Sequence, residues 1–266
     1  MGASIHVPTE IIQSFVQNGF VKFEGVLSSK EVADFRQALA EATGQPGLGY
    51  YYRQGEMFVQ HVNLWQVHEG VRRYVFDPRL AEIARQLAQV PRVRLWHDQL
   101  IIKMPGQEST WWHQDLPLWP MIEAGALTCW LALVDVTVEM GAMHFILGSH
   151  RWGRLAITSL PHEILYDLEG LRYLVPEDKQ DLLKPVVYEL KAGDCTFHNA
   201  LTLHWTRPNT TDQVRLGFII NYFPDGVRYS GRKHVITDDL GLAVGQPIAG
   251  ERFPILAENA EAVTRI

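Results

Sequence analysis

The sequence of 266 residues is poor in cysteine: Cys129 and Cys195 lie far apart and form no CxxC motif. This scarcity argues against a disulfide framework and against a thiolate zinc site, and it fits a reducing cytoplasm. The sequence also lacks a run of 18 apolar residues, and its N-terminus lacks a charged segment followed by an apolar one. It therefore predicts neither a membrane span nor secretion, and we expect a cytoplasmic protein.

The sequence also lacks a long basic run. It has 24 Lys and Arg and 30 Asp and Glu, which give a formal net charge of -6. Nucleic acid is therefore not an expected partner. Hydrophobic residues make up 47% of the chain, which supports a substantial buried core. No repeat or Gly/Ser-rich linker divides the sequence, so we expect a single domain over residues 1–266. Its oligomeric state is not indicated.

The N-terminal part, about residues 1–90, is predicted to be mainly helical. Apolar residues recur at helical spacing from Thr9, the expected N-cap, to Gly19. A second helix is expected after the capping-box residue Ser28, and a third after Asp77. The strand predicted in this part is FVKFEGVL.

From about residue 91 to 230 the pattern changes to strand-like segments separated by turn-rich ones. These segments are VRLWHDQLIIKM, ALTCWLALVDV, PVVYEL, CTFHNALTLHWT and VRLGFIINYF. The sequence thus predicts a mainly β core with flanking helices. A polar stretch at about 153–185 is long enough to be a lid-like insertion, and the tail 231–266 gives little information.

In the stretch WWHQDLPLWP the ionisable residues His113 and Asp115 are surrounded in sequence by tryptophan, leucine and proline. In an extended segment alternate side chains share a face, so His113 and Asp115 point the same way and Gln114 points away. A buried histidine bonded to a carboxylate is the ordinary alternative, so this pair alone does not define a metal site. The adjacent pair His97 and Asp98 has diverging side chains in a strand, and a structural role is expected there.

A third ligand is offered by CTFHNALTLHWT, where His204 and Thr206 share a face of a strand ending near Thr206. His113, Asp115 and His204 would form a facial set of two imidazoles and one carboxylate, whose open positions suit Fe(II). Zinc is the competing metal, because catalytic zinc sites use the same ligand types. His198 has the same parity as His204 and is interpreted as a supporting or core residue.

Arg215 lies beyond the turn-rich RPNTTD, where an antiparallel return would bring its guanidinium beside Thr206. Such a planar charged fork suits bidentate binding of a carboxylate. An iron oxygenase that uses a keto acid requires such a guanidinium, whereas a hydrolytic zinc site or a structural metal site does not. Arg215 therefore favours an oxygenase over a zinc-type hydrolase or isomerase and over a non-catalytic cupin-like metal-binding protein.

On these residues the chain resembles the phytanoyl-CoA dioxygenase-like Fe(II)/2-oxoglutarate-dependent oxygenases. The matching pieces are QNGFVKFEGVLSSKEVADFRQAL, WWHQDLPLWP, GAMHFILGSH and AGDCTFHNALTLHWTRPNTTDQVR. The resemblance implies a double-stranded β-helix, that is, a cupin-like jelly roll. It also implies Fe(II) as the metal and 2-oxoglutarate and O2 as co-substrates.

The same resemblance implies roles for single residues. His113, Asp115 and His204 would bind iron, and Arg215 would hold the distal carboxylate of 2-oxoglutarate with the help of Thr206. Three further residues would lie near the co-substrate: Gln114, Trp130 and Lys103. The position of Gln114 conflicts with the alternation argument, by which its side chain points away from the metal.

The expected activity is the oxidation of a small organic substrate. Hydroxylation is the default, and epimerisation, ring closure or desaturation are outcomes that the same ligand set supports. Many aromatic and apolar residues favour a flat or apolar substrate, and a tailoring step in specialised-metabolite biosynthesis is the corresponding hypothesis. The candidate pocket residues are Tyr50, Tyr51, Tyr52, Met57, Asn63, Trp65, Trp111, Trp112, Leu118, Trp119 and Met121.

Overall fold

The structure, a computed structural model, describes residues 5–44, 59–159 and 161–259. The helices in these ranges are α1 (Thr9–Asn18), α2 (Ser29–Thr43), α3 (Glu69–Val75), α4 (Pro78–Ala88) and α5 (Leu168–Arg172). The strands are β1 (Phe20–Phe23), β2 (Val59–Val62), β3 (Arg92–Lys103), β4 (Leu127–Ala132), β5 (Met143–Ile146), β6 (Pro185–Val187), β7 (Cys195–Asn199), β8 (His204–Thr206), β9 (Arg215–Pro224) and β10 (Ile255–Glu258).

The strands form two antiparallel sheets. The larger sheet has the order β1-β7-β4-β9-β3-β10, with β2 also paired to β3, and the smaller sheet has the order β6-β5-β8. Side chains of both sheets line one central pocket. This is the double-stranded β-helix that was expected, with helices on the outer face of the larger sheet.

Helix starts and stops follow local sequence signals. At α2 the backbone N–H of Glu31 donates to Ser28 Oγ (3.3 Å) and the N–H of Ser28 donates to Glu31 Oε2 (2.8 Å), so the predicted capping box is present. Helix α1 begins one residue away from the prediction: Pro8 is the N-cap and Thr9 is already helical. Gly19 ends α1 with φ of 87°, a conformation that favours glycine.

The helices of the N-terminal part and the larger sheet share one hydrophobic cluster. Phe35 of α2 packs edge-to-face on Phe218 of β9, with ring centroids 4.7 Å apart. Leu80 of α4 and Leu100 of β3 are fully buried in the same cluster. The outer face of the sheet is therefore core, and its inner face is left for the pocket.

The segment CTFHNALTLHWT was predicted as one strand and is two. Strand β7 belongs to the larger sheet and β8 to the smaller one, and the N–H of Thr202 donates to Asn199 O (2.8 Å) in the turn between them. The turn carries the chain from one sheet to the other. Three strands and two helices of the described ranges were missed because they are short or lack a clear period: β2, β5, β10, α3 and α5.

The segment 153–185, for which a lid-like role stays a prediction, packs on the outer side of the smaller sheet. Its buried side chains pack with Trp112 and Leu203, and Trp112 stacks on Trp205 at a centroid distance of 5.6 Å. Trp205 lies on the face of the smaller sheet turned away from the pocket, because its neighbour His204 lies on the inner face. Among described residues, 153–185 contributes no pocket-lining side chain.

Of the helices that the described ranges contain, none combines the length and the apolar character needed to cross a membrane.

Candidate metal and co-substrate site

His113, Asp115 and His204 converge at the centre of the pocket. Each offers one ligand atom, and the three atoms lie within 4.8 Å of one another. Asp115 Oδ1 is 3.8 Å from His113 Nε2 and 3.7 Å from His204 Nε2. The three side chains can therefore contact a common ion.

Backbone pairing brings the two imidazoles together. The N–H of His113 donates to His204 O (3.1 Å) and the N–H of His204 donates to His113 O (3.0 Å), so the two residues form a β-bridge. The chain then leaves the extended conformation, because Asp115 has helical φ and ψ of -72° and -46° and opens a short turn. Pairing with β8, followed by this turn, directs both parts of the HxD motif at one point.

Hydrogen bonds fix both imidazoles in the tautomer that a metal requires. Nδ1 of His113 donates to Trp111 O (2.8 Å), and Nδ1 of His204 donates to Thr202 O (3.0 Å). Burial lowers the pKa of His204 to about 4, so its ring is neutral at pH 7. Each Nε2 therefore presents a lone pair to the pocket.

Asp115 is held by its other oxygen. Its Oδ2 accepts hydrogen bonds from Thr128 Oγ (2.9 Å) and from His198 Nε2 (3.3 Å), which leaves Oδ1 to face the two imidazoles. Burial alone would raise the pKa of Asp115, but the positive charge that His204 carries at acid pH and the hydrogen bond from His198 hold it well below its usual range. His198 lies beside the ligand Asp115, in the supporting position in which it was interpreted.

Arg215 lies at one end of the pocket, fully buried, opposite Lys103 in the β3–β9 pairing. Its Nη1 donates to Gly141 O, and its guanidinium carbon lies 5.4 Å from the Trp130 ring centroid. Its Nε is buried without a hydrogen-bond partner among the described residues. A Cβ at Gly217 would lie 2.1 Å from Trp130 Cζ2, so only glycine leaves room for this indole.

Lys103 places a buried amine behind Thr206. Its Nζ donates to Thr206 Oγ (3.0 Å) and to Arg207 O (2.7 Å). Burial, followed by the charge of Arg215, lowers the pKa of Lys103 to about 6, so the amine is mainly neutral at pH 7. Neither Lys103 nor Arg215 forms an ion pair with a carboxylate in the described part of the chain. A buried guanidinium without an acid is costly, so this end of the pocket fits an anionic group.

Gln114, which the family resemblance would put near the co-substrate, has a side chain that is buried away from the pocket-lining residues. Its Nε2 donates to Gly153 O (2.9 Å) and Leu201 O (2.7 Å), and its Oε1 accepts from the N–H of Leu155 (2.8 Å). All of these contacts lie outside the pocket. The alternation argument, by which Gln114 faces away from His113, agrees with the structure.

The pocket has a cavity volume of about 330 Å³. Its walls are mainly apolar: Val62, Ile101, Trp111, Leu118, Trp119, Met143, Ile219, Val235 and Ile236. Uncharged polar side chains line the part away from Arg215: Gln60, His97, Gln99, Asn221 and His234.

Only some of the predicted aromatic and apolar pocket residues line this cavity. Trp111, Leu118 and Trp119 do, whereas Trp65, Trp112 and Met121 are buried in hydrophobic clusters and Asn63 precedes a single helical turn. Tyr50, Tyr51, Tyr52 and Met57 lie outside the described residues.

Two pocket histidines were missed. The sequence assigned His97 a structural role together with Asp98, but only Asp98 has one, because it accepts from the N–H groups of Leu64 (3.0 Å) and Trp65 (3.1 Å). His97 points to the opposite face and lines the pocket. Strand alternation alone could have indicated this, since His97 shares its parity with Gln99 and Ile101. His234 lies in the tail, where no pattern was available.

Two facing antiparallel sheets that enclose a two-histidine, one-carboxylate set and a buried, unpaired guanidinium define a jelly-roll oxygenase of the Fe(II)/2-oxoglutarate type. The chain belongs to the phytanoyl-CoA dioxygenase family, whose profile matches residues 15–217. The protein is accordingly an Fe(II)- and 2-oxoglutarate-dependent dioxygenase.

Individual relatives of known structure or activity agree with this class. An ectoine dioxygenase of Bordetella parapertussis is 26% identical over 238 residues, which cover 79% of this chain and 73% of its own. The non-heme alpha ketoglutarate dependent carbocyclase SnoK from nogalamycin biosynthesis is 29% identical, with a TM-score of 0.78 over 94% of this chain and 97% of its own. The epimerase SnoN in complex with Fe3+, alpha ketoglutarate and nogalamycin RO is 29% identical, with a TM-score of 0.75 over 93% of this chain and 98% of its own.

Proposed function

We propose that the protein oxidises a C–H bond of a small, uncharged and largely apolar organic molecule, with hydroxylation as the expected outcome, in a tailoring step of specialised metabolism. One observation carries the proposal: the convergent set of His113, Asp115 and His204 lies between a cationic pocket end at Arg215 and a neutral, aromatic-walled remainder. The pocket thus has one place for an anionic co-substrate and another for a neutral substrate.

In this proposal His113, Asp115 and His204 hold Fe(II). The donor set fits the ion, because Nδ1 of each histidine donates to a carbonyl, which puts the lone pair on Nε2, and Asp115 Oδ1 is not used by Thr128 or His198. When Fe(II), 2-oxoglutarate and O2 are bound, they supply the oxidising equivalents, and 2-oxoglutarate is converted to succinate and CO2. Three protein ligands leave the remaining coordination positions open.

Arg215 holds the distal carboxylate of 2-oxoglutarate, with Thr206 and Lys103 beside it. The unpartnered Nε of Arg215 is a buried donor that such a carboxylate satisfies. Thr206 Oγ lines the pocket and is positioned by Lys103 Nζ and by the hydroxyl of Thr110 (3.2 Å). Trp130 closes this end as an apolar wall against water.

The substrate lies against Trp111, Leu118 and Trp119. Among the described residues that line the pocket, Arg215 and the ligand Asp115 are the only residues with a charged side chain at pH 7 when the histidines are neutral. A neutral molecule with flat, apolar surface matches this lining. Two similar solved structures come from nogalamycin biosynthesis, one of them in complex with nogalamycin RO, and they support a small organic substrate.

The proposal is tested by incubating the protein with Fe(II), ascorbate, 2-oxoglutarate and ¹⁸O2 and a set of neutral aromatic polyketides, with ectoine and an acyl-CoA as charged comparisons. We expect a neutral aromatic compound to stimulate succinate formation and to gain one labelled oxygen. Stimulation without incorporation of label would replace hydroxylation by ring closure, epimerisation or desaturation. Stimulation by the charged compounds alone would refute the proposed substrate class.

A further inference from the structure

Four polar side chains form a straight row across the inner face of the larger sheet. In the β-pairing, His198 of β7 lies opposite Thr128 of β4, Thr128 lies opposite Asn221 of β9, and Asn221 lies opposite His97 of β3. One end of the row is tied to the ligand Asp115, and the other end, His97, lines the pocket.

The contacts of this row are all of hydrogen-bond length. Thr128 Oγ lies 2.9 Å from Asp115 Oδ2 and 2.8 Å from Asn221 Oδ1. Asn221 Nδ2 lies 3.2 Å from His97 Nδ1. The row therefore connects a charged carboxylate to a pocket imidazole through two neutral groups.

The ionised carboxylate sets the direction of every bond in the row. Asp115 can only accept, and the Thr128 hydroxyl has a single proton, which the charged acceptor takes. With Asn221 Oδ1 toward Thr128, two acceptors share that single proton. Turning the amide over exchanges its oxygen and NH2 without moving any other atom, and it gives each contact one donor and one acceptor. We therefore take the NH2 to face Thr128 and the amide oxygen to face His97. The amide oxygen then accepts the Nδ1 proton of His97, and Nε2 of His97 carries a lone pair.

His97 lines the pocket, and its side-chain contact with Asn221 is made at Nδ1, which leaves Nε2 for a ligand. Burial lowers the pKa of His97 to about 3, so the ring is neutral at pH 7. The Trp119 ring stands edge-on to the imidazole, with centroids 6.2 Å apart, which provides a flat apolar wall next to the lone pair.

We propose that Nε2 of His97 accepts a hydrogen bond from a hydroxyl group on a flat ring of the substrate. The hydrogen bonds from Asp115 through Thr128 and Asn221 to His97 make Nε2 the acceptor. The inference deepens the proposed function and rests on it, because the ligand role of Asp115 keeps the carboxylate ionised. It narrows the substrate class from neutral and apolar to neutral, flat and hydroxylated.

The test compares 2-naphthol with 2-methoxynaphthalene, which differ in whether the oxygen can donate. Binding of each compound to the protein with Fe(II) and 2-oxoglutarate under anaerobic conditions is followed by tryptophan fluorescence. We expect 2-naphthol to bind about fivefold more tightly, the effect of a single hydrogen bond. Equal affinities in the wild-type protein would overturn the proposal, because His97 would then act as a donor or not at all.

Two variants place the preference on His97. His97→Phe keeps an aromatic ring at this position but removes the hydrogen-bond acceptor, so the preference for 2-naphthol should disappear. In His97→Gln the amide oxygen can accept a hydrogen bond, so part of the preference should return. Asn221→Leu, which frees the tautomer of His97, should also reduce it. A full preference in both His97→Phe and Asn221→Leu would refute the role of the row.

Each protein is first checked for the visible absorption band that Fe(II) and 2-oxoglutarate form together in the absence of O2. Absence of the band from the wild-type protein would contradict the proposed function itself, whereas a normal band without a naphthol preference would contradict only the role of His97. Variants that form the band enter the comparison, so a loss of folding is not read as a loss of recognition.

Discussion

Replacement of Arg215 by methionine is the perturbation that probes the co-substrate end of the pocket. Methionine keeps much of the side-chain length beside Trp130 but removes the charge and all hydrogen-bond donors. A hydrogen bond to a charged group contributes about 1.5–3 kcal/mol, which converts to about a 10- to 100-fold higher requirement for 2-oxoglutarate. Succinate formation at increasing 2-oxoglutarate concentration measures this change.

The same weakening can be measured without turnover. A ligand present at about 100 times its Kd stabilises the wild-type protein by about 2.7 kcal/mol; at the same concentration a variant that binds 10- to 100-fold more weakly gains only about 1.4 to 0.4 kcal/mol. Thermal unfolding with Fe(II), with and without 2-oxoglutarate, therefore separates the two proteins. Without co-substrate, Arg215→Met should not be less stable, because a buried charge without an acidic partner is removed.

Arg172→Met is the matched control. Arg172 lies on α5, is exposed and pairs with Glu169 at 3.3 Å, outside the pocket. The control should change neither the 2-oxoglutarate requirement nor the stabilisation by 2-oxoglutarate. If Arg215→Met also leaves both unchanged while it remains folded, Arg215 does not hold the co-substrate and the reasoning from its unpartnered Nε is wrong.

Four further outcomes are expected. His204→Ala should abolish iron-dependent succinate formation with an unchanged circular dichroism spectrum; retained turnover would exclude His204 as a ligand. Thr128→Val should weaken Fe(II) binding about 10- to 100-fold, because Asp115 loses a hydrogen bond that orients it; chelator competition measures this. Gly217→Ala should displace the Trp130 indole and raise the 2-oxoglutarate requirement, and an unchanged requirement would show that the indole is not a wall of that site. His97 has a folded-state pKa of about 3, below its unfolded value, so its contribution to stability is present above about pH 6.5 and is lost as the pH falls. In the metal-free protein this loss of folding free energy amounts to roughly 2 kcal/mol at pH 5. His97→Phe should abolish the loss, and chemical unfolding at pH 7 and pH 5 measures it.

Local signals in the sequence predicted the parts of the fold that local physics determines. The capping box at Ser28 and the long alternating strand β3 are examples, because each depends on neighbours in sequence. The division of CTFHNALTLHWT into β7 and β8 could not be predicted in this way. It results from a change of sheet, and both halves have the same strand-like composition.

The site shows the same limit. Parity separated His113 from Gln114. The turn before Arg215 predicted its guanidinium beside Thr206, and the structure has Arg215 opposite Lys103, which donates to Thr206. His234 could not be found, because the tail has no period and the position of the tail depends on the pairing of β10 with β3. His97 could have been found by parity, but its proximity to Asp98 suggested a shared structural role.

The central claim is that His113, Asp115 and His204 bind one Fe(II) whose open positions accept 2-oxoglutarate held by Arg215. Anaerobic titration of 2-oxoglutarate into the Fe(II)-loaded protein, followed by visible absorption, tests this claim most directly. We expect a band that saturates at one equivalent per chain, is absent from Asp115→Ala and requires more 2-oxoglutarate in Arg215→Met. A wild-type protein that binds Fe(II) but forms no band, or an Asp115→Ala variant that forms the full band, would contradict it.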